Sequence, residues 1–370
     1  MFSEHAGASE EVVDMTIIGI EEHWTTVGLT AALGSLPPER ADDSLALNEF
    51  GDTLERLTDL DDGRLTAMDA QGIDVQAISL APPGAGVLDP ADAVAMSRDL
   101  NDAAIDAVRR HPRRLRSMAT LPLSDPAACA AELARAAAHG HVGAMVYGRV
   151  GDRRLDDPAF DELFASAAEL GAPIFIHPQM PPRSIRDAAY AGFDEMTELA
   201  LATFGWGWHV EAATAALRLI ARGTFDRHPQ LQVVLGHWGE LLPFWSDRTD
   251  SLARIAGLEK TVAETIRANF HLTCSGMLRP ALLRHALEVT SVDRLLFSTD
   301  YPFQSPSAED IERFLAGFET DEDRAAFTAG NAARLFGIDS RIGTPIVGSS
   351  GGVGGGGDDE GGGSAPGVQT

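Results

Sequence analysis

Eight short apolar runs recur along this 370-residue chain, each followed by a stretch with helical spacing, and that alternation restricts the fold more than any other feature. The runs are TIIGI (16–20), VQAISL (75–80), RSMATL (116–121), GAMVY (143–147), PIFIH (173–177), QVVLGH (232–237), FHLTC (270–274) and RLLFSTD (294–300). Between them lie Ala- and Leu-rich segments such as ADAVAMSRDLNDAAIDAVRRH (91–111), DPAACAAELARAAAHG (125–140) and DPAFDELFASAAELG (157–171). Strands that are apolar throughout, with no polar alternation, are those of a parallel sheet covered by helices. Eight such units favour an α/β fold of the closed (β/α)8 TIM-barrel type over an open doubly wound sheet. No G-x-G-x-x-G follows the first run, which counts against a dinucleotide-binding sheet.

Composition narrows the function. The chain is 44% hydrophobic and 23% charged, enough to bury a large core. Its formal net charge of −26 argues against nucleic acid and against anionic membrane surfaces as partners, and favours solubility. Only Cys129 and Cys274 are present, so no disulfide framework is implied and a cytoplasmic location is expected. No apolar run is long enough to span a bilayer. Residues 1–14 read as a disordered polar leader without a secretory h-region, 15–339 as a single folded barrel, and the Gly- and Ser-rich 340–370 as a disordered tail.

Barrel chemistry sits at the C-terminal ends of the strands. Here the first run ends in Glu21-Glu22-His23, the fifth in His177, the sixth in His237 and the eighth in Asp300. In a strand, residues two apart share a side, so Glu21 and His23 project together and Glu22 points away. A carboxylate beside an imidazole at a barrel mouth is half of a divalent metal site, and His177 with Asp300 can complete it. The competing reading of Glu21 and His23 is a charged strand end satisfied by an arginine or by water. His111, His139, His141, His228 and His285 fall on helices or loops and read as solvated structural residues. The chain has a single lysine, Lys260, away from any strand end, which excludes a lysine-bridged metal pair; one metal per subunit, Zn2+ or Mn2+, is expected unless another group bridges.

The stretches IEEHW (20–24), RLTAMDAQGID (64–74), IFIHP (174–178), GTFDRHPQLQVVLGHWGELLPF (223–244), LTCSG (272–276), LLFSTDYPF (295–303) and GNAARLF (330–336) resemble the amidohydrolase superfamily. The branch they resemble is that of the non-oxidative decarboxylases, which holds the γ-resorcylate, 2,3-dihydroxybenzoate, 5-carboxyvanillate and aminocarboxymuconate semialdehyde enzymes. The resemblance implies Glu21, His23, His177 and Asp300 as metal ligands, Asp300 also as proton donor, His237 as the sixth-strand catalytic histidine and Glu240 as the acid that orients it. Glu240 follows His237 by three residues, where a helix is expected to start; its other reading is a first-turn acid favoured by the helix dipole. Arg248 matches an arginine that reaches a neighbouring subunit's site, which implies a homo-oligomer, dimer or tetramer. Phe303 matches an aromatic pocket wall.

The implied reaction is loss of CO2 from an aromatic or unsaturated hydroxy-carboxylic acid. The same constellation can run hydrolysis of a lactone, amide or ester with a metal-activated water, and a silent barrel used for binding is a third reading. The resemblance has departures. The dihydroxybenzoate enzymes carry an asparagine that contacts substrate after the fourth strand, where this chain has Tyr147, so the substrate is expected to differ. FGWGWHVE (204–211) adds His209, either a pocket residue or a packed helix histidine. Trp24, Trp206 and Trp208 read either as an aromatic wall for a ring or as core. Segments 25–60 and 178–197 leave strand ends and are expected to cover the site, with Arg183 and Arg186 meeting a substrate carboxylate or solvent.

Overall fold

A computed structural model describes residues 15–338. The leader 1–14 and the tail 340–370, both read as disordered, lie outside the described residues. Among the described residues eleven strands are formed: β1 (Ile18–Trp24), β2 (Val75–Leu80), β3 (Leu115–Ser117), β4 (Ala119–Thr120), β5 (Ala144–Tyr147), β6 (Arg149–Val150), β7 (Arg153–Arg154), β8 (Ile174–His177), β9 (Val233–Leu235), β10 (Phe270–Thr273) and β11 (Leu295–Leu296). All eight apolar runs contribute strands, and the third is split at Met118 into β3 and β4.

The strands make two parallel ladders, β1-β2-β3 and β4-β5-β8-β9-β10-β11, with β6 and β7 as a small antiparallel ribbon. The ladders meet where Val142 N–H donates to Ser117 O at 2.9 Å and Ala119 N–H to Gly143 O at 2.8 Å. At the other seam Ile20 N–H donates to Phe297 O at 3.2 Å and Asp300 N–H to Glu21 O at 3.0 Å. These bonds bring the last strand back to the first and complete the (β/α)8 barrel. The eighth run forms a ladder only over two residues; beyond Leu296 its backbone serves the first strand and ends in Asp300 at φ 64.

Ile18, Ile20, Val75, Ala77, Met145, Phe175, Val234 and Leu296 fill the barrel interior, and Phe336, at the end of the helix Asn331–Phe336, with Ile338 just beyond it closes that cluster. A fully buried Phe or Leu contributes roughly 1.5–3 kcal/mol. A larger apolar cluster, with Ile78, Leu80, Val146, Ile174 and Ile176 from the strands, packs under the surrounding helices. Each strand of the two ladders therefore buries both faces, which is why its sequence shows no alternation.

One irregularity sets up the site. Gly19 pairs with Gln76 but Glu22 pairs with Ile78, so β1 carries one extra residue against β2. Ile18 and Ile20 face the interior; strict alternation from them would aim Glu22 inward. The bulge resets the phase and turns Glu21 and His23 toward the mouth. Gly19 is needed there, because a Cβ at that position would stand 2.3 Å from Glu22 Oε1.

The long segment after β1 folds into the helices Val27–Gly34, Asp43–Glu49 and Thr53–Thr58, and the one after β8 into Arg183–Ala189 and Glu195–Ala202. Arg186 Nη1 joins the two by an ion pair to Asp43 Oδ2 at 2.5 Å. Arg183 is exposed. Among the described residues no helix is long and apolar enough to cross a membrane. The reading of His141 as solvated is corrected: it is 7% exposed, with Nε2 3.1 Å from Asn101 O.

Candidate metal centre

Glu21, His23, His177 and Asp300 come together at the C-terminal mouth of the barrel, each offering one ligand atom, all within 4.8 Å of one another. His23 Nε2 is 3.2 Å from Asp300 Oδ1, and His177 Nε2 is 3.7 Å from Glu21 Oε1. Metal–ligand bonds of about 2.1 Å place neighbouring donor atoms about 3 Å apart, so the quartet closes on a divalent ion with small adjustments.

The donor chemistry fits such an ion. Glu21 and His23 are fully buried, yet Glu21 Oε1 and His23 Nε2 have no hydrogen-bond partner among the described residues. Buried polar atoms are rarely left so, and a cation would satisfy both. His177 Nδ1–H donates to Pro178 O at 2.7 Å, which leaves its Nε2 lone pair facing the quartet. Burial, and then the neighbouring His23, holds the His177 imidazole well below its ordinary pKa, in the neutral form a metal requires. Burial pushes the Glu21 carboxyl up, which marks a site short of positive charge. Its other oxygen, Oε2, accepts from Thr273 Oγ1 at 2.9 Å and from the Ser275 hydroxyl.

Behind the quartet, Glu22 faces away as the strand phase requires. It accepts from Thr299 N–H at 2.8 Å, Thr299 Oγ1 at 2.5 Å and Gln76 Nε2 at 3.2 Å. Gln76 Oε1 in turn accepts from the fully buried Arg64, whose Nη2 also donates to His23 O at 2.6 Å. This buried chain fixes the backbone from which Glu21 and His23 project.

His237 and Glu240 meet, though not on a helix. His237, Trp238, Gly239, Glu240 and Leu241 all have positive φ, between 47 and 88, in a left-handed turn directly after β9. That turn, and not the expected right-handed helix start, brings His237 Nδ1 to 2.8 Å from Glu240 Oε1. His237 N–H donates to Ser275 Oγ at 2.8 Å, and its Nε2 faces Asp300 Oδ2 at 3.9 Å. Burial works against the His237 cation, but the Glu240 carboxylate, with Glu21 and Asp300, outweighs it and pushes the imidazole up to about 10. Burial likewise opposes the Glu240 anion, and His237 and His209 together bring it down to about 2. His209 Nδ1 is 2.7 Å from Glu240 Oε2.

A cavity of about 580 Å³ opens onto this centre, with His177, His209, His237, Glu240 and Asp300 in its floor. Phe50, Phe204, Trp206, Trp208, Leu241, Met277 and Phe303 wall it. Phe303 also leans on His23, with ring centroids 5.6 Å apart. Tyr147, which stands where a substrate contact was expected, and Trp24, read as either wall or core, do not line the cavity. Tyr147 is buried behind His177 and donates from its hydroxyl to Leu80 O at 3.1 Å, because its strand already buries that face. Trp24 is 3% exposed in the outer apolar cluster. Arg248 is exposed on the helix Ser246–Ala256 and does not line this cavity. Arg186 is spent on Asp43.

Sequence reasoning missed Thr273, Ser275, Thr299 and the Arg64–Gln76–Glu22 chain. Thr273 and Ser275 are two apart at the end of the seventh run, and that spacing was the available signal.

The profile of the amidohydrolase family matches residues 25–338. Gamma-resorcylate decarboxylase of Rhizobium radiobacter is 33% identical over 343 residues, spanning 88% of this chain and 99% of that one. The crystal structure of 5-carboxyvanillate decarboxylase from Novosphingobium aromaticivorans, complexed with manganese and 4-hydroxy-3-methoxy-5-nitrobenzoic acid, superposes with a TM-score of 0.80 at 29% identity, over 88% of this chain and 96% of that one. A dihydroxybenzoic acid decarboxylase from Polaromonas sp. JS666, with bound manganese and the inhibitor 2-nitroresorcinol, gives a TM-score of 0.74 at 30% identity, over 87% and 97%. The chain belongs to the amidohydrolase family.

Proposed function

We propose that this chain is a divalent-metal-dependent, non-oxidative decarboxylase of an aromatic hydroxy-carboxylic acid. The observation that carries the reading is the quartet of buried Glu21, His23 and His177 with half-buried Asp300, with two unsatisfied ligand atoms, at the floor of an aromatic-walled cavity. The relatives support it: each acts, by its name, on a small aromatic acid, and two hold manganese. Zn2+ suits the same donors, and manganese in the neighbours favours Mn2+.

Glu21, His23, His177 and Asp300 would hold the ion, which would supply Lewis-acid polarisation of the bound acid. Phe303, Trp206 and Trp208 seat the ring. Asp300, which takes up a proton from solvent as the substrate binds, gives it to the ring carbon that bears the carboxylate. The bond from that carbon to the carboxylate then breaks, its electron pair restores the aromatic ring, and CO2 leaves. His237, oriented through Nδ1 by Glu240, presents Nε2 to a substrate oxygen and stabilises charge there. No water is consumed.

Arg248, exposed beside the exposed Phe244 and Trp245, supports a homo-oligomer in which that helix meets another subunit. Two unpaired cysteines are consistent with a cytoplasmic setting.

The test is CO2 release from a panel of hydroxybenzoates and vanillate-type carboxylates by chain loaded separately with Mn2+ and Zn2+. Asp300→Asn should lower turnover by about 10³-fold or more. No CO2 from any acid, with one metal bound per chain, contradicts the reading.

A further inference from the structure

His209 borders the cavity but belongs neither to the metal quartet nor to the His237–Glu240 pair. It lies in the first turn of the helix Gly207–Ala221, with its side chain 16% exposed. Its Nδ1 is 2.7 Å from Glu240 Oε2, and its Nε2 is 3.0 Å from the carbonyl oxygen of Phe204. A carbonyl and a carboxylate are both acceptors, so each ring nitrogen of His209 faces an acceptor. Glu240 therefore receives an imidazole on each oxygen, His237 on Oε1 and His209 on Oε2. A carboxylate held by one bond still swivels about its terminal torsion; held on both oxygens, its plane is fixed. The direction in which His237 aims Nε2 depends on that plane.

The other bond reaches a different part of the site. Phe204 belongs to the tight turn Thr203–Gly207, which presents Phe204, Gly205 and Trp206 to the cavity. Phe204 is 57% and Trp206 47% exposed, so packing alone does little to hold them. The Phe204 carbonyl is the point at which the turn is tied to the floor of the site.

We propose that His209 is a positioning residue that locks the Glu240 carboxylate, and through it His237, while tying the aromatic wall that receives the substrate ring to the same carboxylate. The role rests on the decarboxylase reading only for the nature of the substrate. It makes seating the ring and aiming His237 a single mechanical event.

The two bonds can be removed separately. The amide nitrogen of asparagine stands as many bonds from Cα as imidazole Nδ1, and that of glutamine as many as Nε2. His209→Asn keeps a donor for Glu240 and loses the one for Phe204 O; His209→Gln does the reverse. With metal-loaded full chain, Asn should hold kcat within about threefold and raise KM about fivefold, while Gln should lower kcat about tenfold with KM little changed. His209→Phe should show both defects. A readout independent of turnover is the low-field proton of His237 Nδ1–H by NMR. It should stay sharp in the Asn variant and exchange away in the Gln variant, where Glu240 is released. Equal kinetics for Asn and Gln, or an unaltered His237 proton in Gln, overturns the proposal. Absence of CO2 release by the wild type would instead overturn the decarboxylase reading and leave the NMR comparison standing.

Discussion

Burying a carboxylate or an imidazole without a partner is expensive, so each buried titratable side chain here has to be explained by what faces it. Glu21 and His23 each leave an atom facing the quartet, and a cation explains both. His141 is a contrasting case. It is far from the mouth, donates to Asn101 O, and is pushed down to about 4 by burial. A base with a depressed folded pKa binds its proton less readily in the folded chain than in the unfolded one. Its contribution to stability is present above about 6.5 and is lost as pH falls through about 4. His141→Gln, which keeps a donor at the Nε2 position, should flatten the acid side of the stability curve, by an amount on the order of 3 kcal/mol across that window. Thermal midpoints at pH 4 to 7 measure this; parallel curves for the two chains would refute it. The loop position of His141, just past the helix Pro126–His139, gave no sign of burial, because its acceptor is the carbonyl of Asn101, 40 residues away.

At the scale of elements, the decisive object is the bulge in β1. The period of two showed that Glu21 and His23 share a side, but not which side. That was decided by one extra residue between Gly19 and Glu22, invisible to a count of apolar residues. The turn after β9 is a second instance. His237 and Glu240 were legible as a pair from their spacing, whereas the left-handed backbone that joins them was not, since only Gly239 of its five residues announces positive φ. Tyr147, expected at the substrate, and Trp24, read as either wall or core, illustrate a related point: an aromatic residue at a strand end fits a cavity wall and a helix–sheet interface equally well in one dimension. The bulge supports a sharp expectation. Gly19→Ala would drive a methyl into the Glu22 carboxylate at 2.3 Å and displace the strand that carries both ligands. Metal affinity, measured by competition with a chromogenic chelator, should fall about 10- to 100-fold. Unchanged affinity in a folded variant would show that the bulge does not set the ligands.

At the scale of the whole molecule, eight apolar runs were enough to read the barrel, because each strand had to bury both faces. The charged strand ends gave the four residues that the fold gathers as the candidate metal quartet. The net charge of −26 has a kinetic consequence for an enzyme whose substrate is an anion. Long-range repulsion slows encounter, and salt screens it. kcat/KM for an anionic acid should therefore rise, roughly twofold or more, between low salt and about 0.15 M ionic strength, with kcat little changed. A fall with added salt would mean that local positive charge, including that of the metal, governs approach instead. The account as a whole stands on the fate of one carbon. Turnover of a hydroxybenzoate by the metal-loaded chain in D2O, followed by NMR of the product, reads it directly. The expected product carries one deuterium on the ring carbon that held the carboxylate, with one CO2 released. A product with its carboxylate intact, or one that has gained an oxygen from water, would contradict decarboxylation and assign this centre to hydrolysis.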